Sequence, residues 1–209
     1  MLNLGFKAFF LSSPFVMGVL LFCSVMVLAY MFERLIFFAR NAEPPKDLWR
    51  RVVSLVNEGK IQDAVSVCSH SSSLYAKIFL AGLEKAHLSR TDVEDSMYIQ
   101  KEEAQEAFRK NLGIFGTISF IAPLLGLLGT VIGIYVAFRD LALAGSGGPT
   151  IVASGVSSAL LTTIAGILVA VPAAVIYNYF TFRLRGIIVR TNTYSQMLVI
   201  KIFERGKKI

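Results

Sequence analysis

The chain alternates long uncharged stretches with short amphipathic ones. Ala8 to Phe32 form 25 uncharged positions closed by Glu33-Arg34, residues 111–138 form 28 between Lys110 and Arg139, and residues 141–182 form 42 between Asp140 and Arg183. A bilayer core of about 30 Å needs roughly 20 apolar helical residues, so each stretch is long enough to span it. The first is too long for the apolar part of a signal peptide and no small-residue cleavage site follows it, which predicts an uncleaved span. The other two are separated by Arg139-Asp140, and the last is broken at Ala144-Gly145-Ser146-Gly147-Gly148-Pro149, which predicts a membrane hairpin. Three membrane helices result.

Between the first and second spans the apolar residues recur at helical spacing. Trp49, Val52, Val53 and Val56 form one stripe, Ile61, Ala64, Val65 and Cys68 a second, and Tyr75, Ile78, Phe79, Gly82 and Leu83 a third, which predicts three short amphipathic helices. Pro44-Pro45 precedes the first, and Ser71-Ser72-Ser73 separates the last two. Thr91 followed by Glu94, with Asp92 and Asp95 in the same turn, predicts a helix capped at Thr91. If that helix is continuous to Phe138 it holds about 48 residues and is on the order of 70 Å long, running from the cytoplasm through the membrane. Pro123 predicts a kink in it, because proline removes a backbone donor and crowds the preceding turn. The expected organisation is a first membrane helix over 8–38, a cytoplasmic helical insert over 39–110, a transmembrane hairpin over 111–182 and a basic cytoplasmic tail over 183–209.

Composition supports this division. The chain is 55% hydrophobic and 17% charged, against about 25% charged in soluble domains, which places it among all-α integral membrane proteins. The formal net charge of +7 is not evenly spread: residues 183–209 hold seven basic residues and one acidic one, whereas 34–110 hold twelve and eleven. A basic segment directly after a membrane helix fixes topology beside anionic head groups, and nucleic acid is not an expected partner. Arg34, Arg40, Lys46, Arg50, Arg51, Lys101, Arg109 and Lys110 put the insert on the same side as the tail, with only Lys7 and Arg139 opposite. The positive-inside rule therefore places the N-terminus and the 139–154 hairpin outside, and the insert and C-terminus in the cytoplasm.

Candidate chemistry is confined to the spans. Cys23 and Cys68 lie in different environments, His70 and His87 are isolated in sequence, and no His/Cys spacing suits a metal. Gly145-Ser-Gly-Gly-Pro has no following lysine, so it is no phosphate loop, and no Ser/His/Asp set can be assembled. Neither catalysis nor a cofactor is expected. The hairpin instead carries hydroxyls: Ser154, Ser157, Ser158, Thr162 and Thr163 on its second arm, and Thr117, Ser119 and Thr130 on its first. Ser154, Ser158 and Thr162 share a helix face, and Thr163 lies about 100° round from it. In lipid such groups either bond back to their own helix or line something polar, and the residue pattern leaves both open. Gly126, Gly129 and Gly133 are spaced for close helix contact. No Asp, Glu, Lys, Arg or His lies within 8–32, 111–138 or 155–182. If protons move along these helices, the titrating group belongs to another chain.

At these residues the sequence resembles the TolQ/ExbB family, the larger subunits of inner-membrane proton-driven motors, and more distantly MotA. The matching stretches are APLLGLLGTVIGIYVAF (Ala122–Phe138) and GVSSALLTTIAGILVAVPAAVIYN (Gly155–Asn178), with agreement in the three-span layout. Three spans rather than four disfavour a MotA-type stator. The resemblance implies a bacterial inner-membrane protein with a periplasmic N-terminus, assembled as an oligomeric ring, a pentamer, around a dimer of an ExbD/TolR-like single-span subunit whose aspartate carries the proton. It further implies a proton-conducting stator that delivers energy to a TonB- or TolA-like periplasm-spanning transducer. Thr130 and Thr163 match the family's pore threonines, and Pro172 matches a proline that should kink the third span. Ser158 stands where the family commonly has a glutamate. The ion-pathway candidates are thus Thr130, Ser158, Thr162 and Thr163, whose hydroxyls suit a proton relay and could in part ligate sodium. The competing expectation is a non-conducting membrane scaffold whose cytoplasmic helices bind other proteins.

Overall fold

A computed structural model describes residues 14–41, 46–144 and 149–205. All described residues in regular structure are helical. Among the described residues the helices are α1 (Pro14–Asn41), α2 (Lys46–Glu58), α3 (Ile61–Ser69), α4 (Leu74–Glu84), α5 (Arg90–Arg109), α6 (Leu112–Ala144) and α7 (Pro149–Arg205). Three helical stretches, carried by α1, α6 and α7, are long and apolar enough to cross a membrane. Lys7, Pro44-Pro45 and the Gly145–Gly148 part of the hairpin lie outside the described residues. The chain divides into two compact units, one of residues 1–33 and 111–180, the other of residues 34–110 and 181–209.

In the first unit α6 and α7 pack through small residues. Phe115, Ala122, Ala159, Ala173 and Phe180 are buried there, and the Phe115 and Phe180 rings stack at 6.2 Å. On α1, Met17, Leu20, Leu21 and Ser24 share a groove of about 180 Å³ with Ala165, Leu168 and Val169 of α7. Pro123 and Pro172 both lie inside helices that run on past them.

The second unit is a helical cluster with its own apolar core. Val52 and Val56 of α2, Ala64 and Cys68 of α3, and Tyr75, Ile78, Phe79 and Leu83 of α4 form its centre, with Val93 and Met97 of α5. This is the inward stripe that the helical spacing predicts. Gly59, at φ 85°, turns the chain between α2 and α3 in a conformation that glycine adopts without steric cost. Residues 183–205, expected as a basic tail, continue α7 and place Leu198 and Val199 in the same core. Trp49 meets Tyr194 edge-on at 4.8 Å.

Two details of α5 differ from the sequence-based expectation. Its cap is Ser89 rather than Thr91: the Ser89 hydroxyl accepts from the Asp92 backbone N–H at 3.2 Å, and the Asp92 carboxylate accepts from the Ser89 N–H at 3.1 Å. The Ser89 hydroxyl, which donates to the Asp92 carboxylate at 2.6 Å, and then the Ser89 N–H hold that carboxyl below the usual carboxylate range. The expected continuous helix from the cytoplasm into the membrane is also interrupted. Lys110 takes an extended ψ of 133° and Asn111 a left-handed φ of 64°, and these two residues separate α5 from α6. Asparagine is among the few non-glycine residues that enter this region readily. Glu106, on the last turn, pairs with Arg109 at 3.6 Å.

Candidate functional site

The face between α6 and α7 is set by glycines. A Cβ added at Gly126 would come within 2.8 Å of the Thr162 carbonyl oxygen and 3.0 Å of the Thr163 Cα. At Gly129 it would lie 2.6 Å from the Thr162 hydroxyl oxygen, and at Gly133 2.6 Å from the Ala159 Cβ. All three glycines named from spacing are therefore at the contact. Gly155 and Gly166 of α7 join them, against Ala137 and the Ala122 carbonyl. Backbones brought this close expose each helix's carbonyls to the other's side chains, as small-residue interfaces in membranes do.

Three hydroxyls use that closeness. Thr130 and Thr163 place their Oγ1 atoms 2.5 Å apart, one on each helix. Thr162 Oγ1 donates to the Gly126 carbonyl across the interface at 2.9 Å or to the Ala159 carbonyl of its own helix at 2.8 Å. The Gly126 oxygen is also 3.2 Å from both Thr130 Oγ1 and Thr163 Oγ1, and the Ala159 oxygen is 3.3 Å from Thr130 Oγ1. Thr162 is fully buried, Thr130 is 8% exposed, and Thr163 is half-buried. The cluster thus has a closed inner end at Thr162 and an accessible outer end at Thr163.

The structure brings together three of the four ion-pathway candidates. Ser158 is half-buried one residue before Ala159 and stands outside these bonds. Ser154, Ser157 and Thr117 are exposed, and Ser119 donates to its own helix at Gly116, 2.8 Å away. The hydroxyl stripe is therefore not one feature: its threonines form a cross-helix cluster, while the other residues do not enter it. Sequence reasoning missed the two carbonyl acceptors, at Gly126 and Ala159, because backbone groups leave no residue pattern. The signal available was Gly126 four residues before Thr130, which puts a bare carbonyl under the hydroxyl.

No acid or base of this chain takes part. Among the described residues, no Asp, Glu, Lys, Arg or His lies within 14–32, 112–138 or 149–182, and no group of His, Cys, Asp and Glu could hold a metal. Chemically the cluster can donate a hydrogen bond to a carboxylate or accept one from a carboxylic acid at Thr163.

Comparison with known proteins identifies the scaffold. The model of the MotA/TolQ/ExbB proton channel family matches residues 70–193, which include α6, the threonine cluster and most of α7. The chain belongs to this family. It is 34% identical over 138 residues to an ExbB homolog of Methanothermobacter thermautotrophicus, covering 64% of this chain and 49% of that protein. It is 33% identical over 173 residues to the ExbB-like 1 protein of Synechocystis, covering 81% of this chain and 68% of the relative. The chain thus spans about half of the first relative's length and two thirds of the second's. Its fold is similar to a chain of C. jejuni MotAB, with a TM-score of 0.61 over 93% of this chain and 75% of that one, at 16% identity. The family is one of proton channels, and three helical stretches long and apolar enough to cross a membrane agree with a membrane protein of that class.

Proposed function

We propose that this chain is the proton-conducting subunit of an inner-membrane motor of the ExbB or TolQ type. Copies form a ring, a pentamer, around a dimer of a single-span ExbD/TolR-like subunit, whose membrane carboxylate carries the proton past the threonine cluster. The movement is passed to a TonB- or TolA-like transducer, with the N-terminus periplasmic and the C-terminus cytoplasmic. Nothing in this scheme requires enzymatic chemistry, a metal or a cofactor of this chain.

The observation that carries the reading is the half-exposed Thr163 hydroxyl bonded to Thr130 in an otherwise uncharged membrane region. Desolvation favours the neutral carboxyl, and hydrogen bonds to its charged form favour ionisation. A partner carboxylate moving between apolar surface and these hydroxyls would then take up and release a proton. Ser158 supplies no acid, which leaves the partner as the source of the titrating group.

The test is proton flux through the complex, purified from its native membrane and placed in liposomes, at several sodium concentrations. The reading expects a single-span companion to copurify and flux to follow the pH gradient independently of sodium. A complex without such a companion and without flux would instead support a scaffold, and flux that scales with sodium would identify a different ion.

A further inference from the structure

Thr162 has no exposed surface, so it cannot meet a partner, yet it makes the shortest bonds to the cluster's carbonyls. Its role follows from counting protons. The three threonine hydroxyls have one proton each. Within α-helices the Gly126 and Ala159 carbonyls each accept one backbone N–H, which leaves each with one further lone pair.

Two arrangements satisfy the 2.5 Å contact between Thr130 and Thr163. In the inward one, Thr163 donates to Thr130, Thr130 donates to a carbonyl, and the outer end can only accept. In the outward one, Thr130 donates to Thr163, and Thr163 donates back to the Gly126 oxygen, 3.2 Å away, or away from the cluster when Thr162 supplies that oxygen instead. The outward form draws the Thr130 proton off the carbonyls. Of the three protons only that of Thr162 then remains for them, donated to the Gly126 oxygen at 2.9 Å or to the Ala159 oxygen at 2.8 Å.

We propose that Thr162 is a positioning residue whose hydroxyl makes the outward arrangement available, so that Thr163 can donate to a carboxylate as well as accept from its acid. This rests on Thr130 and Thr163 being the polar site described above. Without the Thr162 hydroxyl, the carbonyls hold the Thr130 or the Thr163 proton inward, and Thr163 is restricted to accepting. The site then favours the neutral acid, which raises the partner carboxyl's pKa and delays proton release. Among the described residues, the titratable side chains of the three spans are Cys23, Tyr30, Tyr135, Tyr177 and Tyr179, whereas the cluster's hydroxyls bond to one another and to the two carbonyls.

Thr162→Val keeps the side-chain shape that packs against Gly129 and removes only the hydroxyl. In the purified complex, its flux at neutral pH should fall about tenfold, and the releasing-side pH at half-maximal flux should rise by about one unit, since one unit is a tenfold change. Thr162→Ser should restore both. If Thr162→Val blocks assembly, the comparison of Thr162→Ala with Thr162→Ser gives the same readout. An unmoved pH profile in the hydroxyl-free variants, whatever their amplitude, would overturn the positioning role and leave Thr162 as packing. Thr130→Val and Thr163→Val, run in parallel, separate the two levels. Loss of flux in these with an unmoved Thr162→Val profile rejects only Thr162's role, whereas native flux in both rejects the site itself.

Discussion

The Arg34 guanidinium donates to the Ala107 carbonyl at 3.0 Å, joining the C-terminal part of α1 to the last turn of α5. Arg34 is 3% exposed and also lies over the Phe37 ring, 4.6 Å from its centroid. Phe37 and Phe38 both meet Phe108 edge-on, at 5.2 and 5.0 Å. Carbonyls of a helix's last turn have no intrahelical donor, so this bond answers a need fixed by where α5 stops.

Arg34→Met should therefore destabilise this unit by about 1 kcal/mol, the low end of the cost of leaving an acceptor without its donor, because Ala107 is only half-buried. Trp49, the sole tryptophan, sits against Phe79 and Tyr194 in the same unit and reports its unfolding. Thermal melts followed by its fluorescence should show a lower midpoint for Arg34→Met, with Arg34→Lys intermediate because it keeps a donor but not the planar stacking.

The glycine contacts give a second expectation. Gly126→Ala must push against the Thr162 carbonyl and the Thr163 Cα, backbone atoms that cannot rotate away. Overpacking of this kind costs about 1–3 kcal/mol. Gly113 has nothing within 4 Å of an added Cβ, so Gly113→Ala should be neutral or slightly stabilising. Chemical denaturation of the two variants in the same bilayer mimetic checks the contrast.

Much of this organisation is legible in the sequence. The spans follow from uncharged length, and Val52, Val56, Ala64, Cys68, Ile78, Phe79 and Leu83 fall on the stripes their spacing gives. The α5 cap is displaced because Ser89-x-x-Asp92 and Thr91-x-x-Glu94 both fit a capping pattern. Geometry decides for the first: the Asp92 carboxylate accepts from the Ser89 hydroxyl at 2.6 Å. The break at Asn111 leaves no warning, since asparagine tolerates both helical and left-handed backbone. In residues 183–205 the basic residues mask Tyr194, Leu198 and Val199, which face the core. At the candidate site, residue type identifies the threonines, but only the approach of α6 to α7 separates Thr130, Thr162 and Thr163 from Ser158.

Cys68 supplies a pH expectation. Burial pushes its thiol from the ordinary 9.0 up to about 11. The folded state thus retains a proton that the unfolded state loses above about pH 9. The stabilisation from this group is complete below pH 9 and is lost as pH rises to about 11. The native chain's melting midpoint should fall more steeply over this window than that of Cys68→Ala. At pH 8, Cys68 should resist a water-soluble maleimide until the unit unfolds.

The proposal that Thr130 and Thr163 form the polar site for a moving carboxylate is tested most directly by proton flux through the assembled complex in liposomes. Thr130→Val and Thr163→Val preserve side-chain shape and remove the two hydroxyls that lie 2.5 Å apart. Each should leave the complex assembled and lower flux at least about a hundredfold, within the range that positioned proton-transfer groups contribute. Assembled Thr130→Val and Thr163→Val complexes that both conduct at the native rate would contradict the mechanism and reduce the threonine cluster to helix packing.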